Sequence, residues 1–288
     1  MSRSENTTNN TNTAPKSATP QATFRPKLHV SLKGNTKIGT EIASFSTLPG
    51  DADHLVTLKN GTVINQIPGT CSSNCKYCFQ NCYAVNALKR YAATCLRAWS
   101  DNTLLLRSGR LFEELDRFLN RKNAIYLKTK DPEMARIKVF RINVSGEITS
   151  GEELAGWNDL AKKHPETTFA VYTKNYAALE DFLAAHEGTA DNFVINVSQW
   201  HGSADSFLAA HPGKFNVFEY IDINRDDCTA SEELRKHMQE ISSNKSRMCP
   251  AVTETGNHAK KPDGTPITCD SCGKCYRKTG KTTGVWAH

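Results

Sequence analysis

The residues best equipped for chemistry lie in one short run, Cys71-Ser-Ser-Asn-Cys75-Lys-Tyr77-Cys78-Phe-Gln-Asn-Cys82-Tyr-Ala. Four thiols within twelve residues, in a chain without an apolar secretion segment, are expected to hold metal rather than form disulfides. The first three follow a C-x3-C-x2-C spacing, with an aromatic residue, Tyr77, directly before the third. A tight loop so spaced can aim three thiolates at three corners of a cubane [4Fe-4S] cluster, leaving the fourth iron open for chemistry. Cys82 has two readings. As a fourth ligand it would close the cluster; in place of Cys75 it would complete a triplet of Cys71, Cys78 and Cys82. The spacing favours Cys71, Cys75 and Cys78, and both triplets stay open at this stage.

A second thiol set lies near the C-terminus. Cys249 is followed by Cys269, Cys272 and Cys275, whose C-x2-C-x2-C core is similar to that of bacterial ferredoxin loops. Four thiolates satisfy a cluster completely, so electron transfer or a structural role is expected there. A structural zinc on the same four residues is the alternative. Cys95 falls in a helical pattern and reads as a small buried hydrophobe, and Cys228 as a free thiol.

These residues need a frame. The 288 residues are enough for one (β/α)-type domain or two smaller ones. A net charge of +6, spread along the chain, permits an anionic partner without arguing for one. No apolar run is long enough to span a bilayer, so a cytoplasmic, reducing setting is expected, with no membrane partner. Residues 1–24 are polar and rich in Ser, Thr and Asn, and read as a disordered tail. Residues 25–245 read as the core carrying the cysteine loop, and 246–288 as a Cys-rich segment held by metal.

Within the core, alternating segments around Gly34-Asn35 and Asn60-Gly61 read as hairpins. Pro68-Gly69 then leads into Cys71. Helical spacing covers 83–99 and 104–120, with Leu111, Leu115, Phe118 and Leu119 on one face. Strands are predicted at 137–144, 168–174, 192–198 and 214–223, the last clear one. They alternate with helices at 152–164, 176–186, 204–211 and one ending near Ile241. Capping boxes are expected at Ser150 with Glu153 and at Thr229 with Glu232. Strands one βα unit apart imply a parallel sheet, and about six units imply a partial (β/α) barrel, open on one side. Polar residues at strand ends are then site candidates. They are Ser145-Gly146-Glu147, Lys174, Ser198 and Asp222, with Lys174 and Ser198 preferred among the last three.

The cysteine loop resembles that of radical S-adenosylmethionine (SAM) enzymes in spacing and in its aromatic residue. That resemblance implies reductive cleavage of SAM to a 5′-deoxyadenosyl radical, with an external one-electron donor such as a flavodoxin or ferredoxin. It also implies a Gly-Gly-Glu-like element after the second strand to hold the SAM ammonium. Gly146 and Glu147 match that element, while Ser145 replaces its first glycine. A narrower similarity is carried by residues 34–46, by Cys82-Tyr83-Ala84, by residues 141–150 followed by Trp157, and by Tyr172-Thr173-Lys174. These stretches resemble the phage-associated gene product 88 family, whose pattern implies Cys71, Cys78 and Cys82 as the fixed cysteines and names no substrate.

The competing expectation is a non-catalytic protein using iron–sulfur or zinc as staples, with nucleic acid as partner. The basic residues Lys260, Lys261, Arg277, Lys278 and Lys281 around the C-terminal cysteines are its support. The placement of the first cysteine loop at a strand end, ahead of Gly146-Glu147, favours the enzyme. A histidine-based hydrolase finds no His-x-x-His or His-Glu-x-x-His spacing, and His164 and His201 read as surface or helix-end residues.

Overall fold

The computed structural model describes residues 25–34, 38–71, 78–129, 137–224 and 228–287. The tail, Cys75 and Tyr77 lie outside them. Six strands, β1 (Ile42–Ser44), β2 (Val139–Ile142), β3 (Thr168–Thr173), β4 (Phe193–Gln199), β5 (Asn216–Ile221) and β6 (Thr282–Trp286), form one sheet. Every neighbouring pair is parallel, and the spatial order is the chain order. Parallel neighbours need a crossover, and right-handed crossovers in a sequential sheet all fall on one face. The helices α1 (Tyr83–Arg90), α2 (Ala92–Arg107) and α3 (Leu111–Thr129) connect β1 to β2. The later crossovers are α4 (Gly151–Lys163), α5 (Tyr176–Ala185), α6 (Asp205–Ala210) and α7 (Glu232–Ser243), and a short α8 (Cys269–Cys272) precedes β6.

Strand residues alternate between two different surroundings. Phe140, Phe169 and Phe193 share one register row and face the helices, where they join Trp157 of α4 in the main apolar core. The Trp157 ring lies 6.0 Å from Phe140 and 5.6 Å edge-on from Phe45. The opposite face carries Arg141, Tyr172, Asn196 and Asn216, and is covered toward the strand starts by Ile38, Tyr276 and Cys269. Two buried amides hold this cover. Asn196 Nδ2 donates to the Cys275 carbonyl at 3.1 Å, and Asn216 Nδ2 to that of Arg277 at 2.9 Å. Asn216 Oδ1 in turn accepts from the backbone N–H of Thr279 and Gly280.

Several expectations change. The C-terminal region is not without regular structure: β6 joins the sheet beside β5, and its Gly284 sits where a side chain would strike Ile241 of α7 and Met248 beyond it. Five residues with a central glycine give too weak a pattern to read as a strand. The run 83–99 is two helices broken at Tyr91, and Leu104 belongs to α2, which stops at Ser108-Gly109 where Gly109 has φ +71°. Leu111, Leu115 and Leu119 do form one buried face of α3. Ser150 caps α4 by accepting from Glu153 N, while the Glu153 carboxylate reaches Thr149 rather than Ser150. Helix α7 is capped by Ser231, not Thr229. Around Asn60-Gly61 the hairpin is minimal, with one bridge from Thr57 to Val63; near residue 34 the observed pairing is a bridge from Ser31 to Ser44.

Because Asn216 bonds the Arg277 carbonyl, the Thr279 N–H and hydroxyl and the Gly280 N–H at once, Asn216→Ala is expected to strand several of them. A loss of about 2–4 kcal/mol in urea unfolding is expected, at ~1–3 kcal/mol per buried group left unmet. Limited proteolysis should then cut first within residues 246–288; wild-type stability and an unchanged digestion pattern would refute this anchoring.

Candidate active site and metal centres

At the C-terminal ends of β2 to β5 the sheet opens into a cavity of about 290 Å³. Cys71, Cys78 and Cys82 line it together with Gly146, Glu147 and Lys174. Hydrogen bonds explain why these remote segments meet. Thr47, just past β1, donates its N–H to the Ser145 carbonyl at 3.0 Å, and its hydroxyl lies 2.7 Å from that of Thr70. The Thr70 hydroxyl accepts from Glu147 N at 2.9 Å. Cys71 follows immediately, with its N–H on the Gly50 carbonyl and its sulfur accepting from Gly50 N at 3.2 Å. The turn Ser145-Gly146-Glu147 is thus locked to the root of the cysteine loop. Gly146 has φ +85°, and a Cβ there would overlap both threonine hydroxyls, so only glycine fits.

The electrostatics bind the same residues together. Burial pushes the Cys78 thiol up to about 11, against the pull of Lys174, and Cys82 and Cys71 add to the rise. Cys82 is also raised by burial, but it precedes α1, and the backbone N–H groups of Val85 and Ala84 draw its pKa back down. A helix N-terminus favours a thiolate in this way. Burial raises the Glu147 carboxyl, with Lys174 opposing. Its two oxygens accept from Ile148 N at 2.8 Å and Lys174 N at 2.9 Å, and the Thr173 hydroxyl bonds the same carboxylate. Burial would lower Lys174, but Cys78, Glu147 and Cys82 hold its pKa above the ordinary lysine value. Ser198 lines the same cavity, its carbonyl receiving the Tyr176 hydroxyl at 2.7 Å.

Cys249, Cys269, Cys272 and Cys275 line a second, smaller cavity on the same sheet face. Burial pushes Cys275 up to about 11, the Tyr172 hydroxyl lowers it, and the other three thiols raise it. Tyr172 lines both cavities. Among the described residues, only His201, Asp222 and Cys228 bring three ligand atoms within 4.8 Å of one another. Asp222 is engaged by His201 at 2.9 Å and by the Cys228 thiol at 3.4 Å, away from the cysteine sets. Cys95 packs in the apolar cluster around Leu88, as a hydrophobe would. His164 is a helix-end residue but buried, with Nε2 2.8 Å from Asp116.

Sequence reasoning gave no role to Arg141, Asn143 and Trp200, all of which line the main cavity. The signal was present in Val139-Phe-Arg141-Ile, a charge inside a parallel strand that otherwise reads apolar. A family model described as gene product 88 matches residues 29–278. No curated protein and no solved structure matches the chain.

Gly146→Ala is expected to cost about 2 kcal/mol or more in chemical unfolding, from overlap and a positive φ together; a variant of wild-type stability would refute the close approach. Ligation requires thiolates, and Cys78 and Cys275 are thiols near neutral pH. Ferrous iron uptake in weak buffer is therefore expected to release protons, with apparent affinity rising at least about tenfold per pH unit from 7 to 9. A pH-independent affinity would exclude these two residues as ligands.

Proposed function

The chain belongs to the gene product 88 family, and we propose that it is an iron–sulfur enzyme of the radical SAM type. The observation that carries the reading is the meeting of Cys71, Cys78 and Cys82 with Gly146, Glu147 and Lys174 in one cavity at the C-terminal strand ends. Ligand sites of sequential parallel β/α folds lie at that edge, and the strand order and one-sided helices support an open partial barrel of six strands.

The donor set fits a cluster. Three thiols face one cavity and four line another, and the C-x2-C-x2-C core of the second set supports a cluster there, with zinc as the alternative. Of the two triplets, the shared cavity and the helix N-terminus at Cys82 support Cys71, Cys78 and Cys82. Held by these thiolates and reduced, such a cluster would supply one electron to the SAM sulfonium, whose C5′–S bond would break to leave methionine and a 5′-deoxyadenosyl radical. The chain's own contribution is to bind and orient. Glu147 offers its carboxylate to the SAM ammonium, Gly146 lets the turn that carries it seat against Thr47 and Thr70, and Lys174 balances the charge of Glu147 and the thiolates. Ser198 closes the cavity from β4. The C-terminal four cysteines hold a second cluster, and the electron comes from an external donor such as a flavodoxin or ferredoxin, in the cytoplasm.

Anaerobic reconstitution tests this. Iron and sulfide near eight per chain are expected, with an EPR spectrum that changes when SAM is added, and 5′-deoxyadenosine after reduction. Cys82→Ala should abolish the SAM-dependent change and Cys75→Ala should spare it; the reverse would restore the Cys71, Cys75 and Cys78 triplet. Bound clusters without any response to SAM would leave an electron carrier, and tight zinc without sulfide would leave a staple.

A further inference from the structure

We propose that the main cavity binds a small ligand bearing a carboxylate or phosphate on a flat unsaturated body, with Arg141 as the anion receptor. Arg141 lies on β2 and faces the cavity, with its guanidinium 4.7 Å from the centre of the Tyr172 ring. A guanidinium stays charged at every physiological pH. No carboxylate among the described residues pairs with it: its titratable neighbours are the phenols of Tyr172, Tyr83 and Tyr276 and the thiol of Cys269. Lys174, the other cation of the cavity, is already set against Glu147 and Cys78. The charge that awaits an anion is therefore that of Arg141.

The polar atoms around it point the same way. Arg141 Nε, both side-chain polar atoms of Asn143, Ser145 Oγ, Gln199 Oε1 and Trp200 Nε1 are buried without a hydrogen-bond partner, and all five residues line this cavity. Asn143, Ser145 and Gln199 are more than nine-tenths buried. Buried polar atoms are nearly always satisfied, so such a concentration marks a place where a ligand supplies the partners. Asn143 also holds a left-handed backbone, φ +49°, that turns it into the site. The rest of the wall is aromatic. Phe218 packs edge-on to Tyr172 at 4.9 Å, and Trp200 lies 5.2 Å from Tyr220. A cavity of about 290 Å³ admits a small molecule or one terminal group, not a folded partner.

Calling this ligand a substrate rests on the radical SAM reading; the anion site itself does not. Saturation-transfer NMR titrations of the full reconstituted chain would use benzoate, phenyl phosphate and the neutral isostere benzamide. One or both anions should bind and benzamide should not, with the better anion separating carboxylate from phosphate. Arg141→Gln should weaken anion binding at least tenfold and Arg141→Lys by less, with thermal unfolding of both variants confirming the fold. Equal binding of benzamide, no binding of any probe, or an unaffected Arg141→Gln would overturn the proposal. So would an Arg141→Gln variant that lost C-terminal iron but kept anion binding, since Arg141 would then be the counter-charge of that centre. SAM cleavage, assayed on the same samples, fails or succeeds independently.

Discussion

The site depends first on two threonine hydroxyls. Thr47 and Thr70 are almost wholly buried, hydrogen-bonded to each other, and between them they hold the Ser145 carbonyl and the Glu147 N–H. Each bond is worth only about 1 kcal/mol net, but a buried group left unmet costs ~1–3 kcal/mol. The arrangement is therefore close to obligatory once the sheet forms. It joins three parts of the chain that are far apart in sequence: the exit of β1, the root of the cysteine loop and the exit of β2. Asn102 extends the knot, donating to the carbonyls of His29 and Ser46, and Thr103 accepts from Leu48 N. The loop carrying Cys71 is thus held at its start by rigid structure, and α1 holds Cys82 at its end.

The second constraint is the division of the sheet into two faces. On the helix side the row of Phe140, Phe169 and Phe193 supplies the burial that stabilises the fold. The other side is freed to be polar, because the C-terminal segment meets its buried amides. Without that segment Asn196 and Asn216 would lose their carbonyl partners and the floor beneath Tyr172 would open. The cavity and the C-terminal thiols are consequently two halves of one covered face.

Much of this was legible in the sequence. The four strands from β2 to β5 stood out as apolar runs one βα unit apart, and their ends gave Gly146, Glu147, Lys174 and Ser198, which share the main cavity. The two cysteine sets were plain from spacing. What escaped has physical reasons. β6 is five residues long with a glycine demanded by α7, so tertiary packing rather than propensity makes it a strand. Thr47 and Thr70 read as ordinary loop residues, since nothing local marks a hydroxyl that will meet another one 23 residues away. Arg141 was hidden inside a strand pattern, where a single charge looks like noise until the opposite face is known to be a cavity. The later start of α7 follows from its cap at Ser231, and the break at Tyr91 from a single non-helical residue without a capping side chain.

The C-terminal segment also changes what its thiols can be for. A piece of chain poor in apolar residues was expected to need metal for its shape, as small metal-folded domains do. Here β6, Asn196, Asn216 and the capped turn of α8 already fix its course, and burying neutral thiols costs little because cysteine packs as a small hydrophobe. These contacts act beside the thiols of Cys249, Cys269, Cys272 and Cys275, and what that set faces is a further constraint. It faces Tyr172, whose hydroxyl is turned to Cys275 and whose ring lies under Arg141 at the wall of the main cavity. Tyr172 is thus common to the walls of both cavities, so the packing that fixes its ring shapes the two thiol sites together.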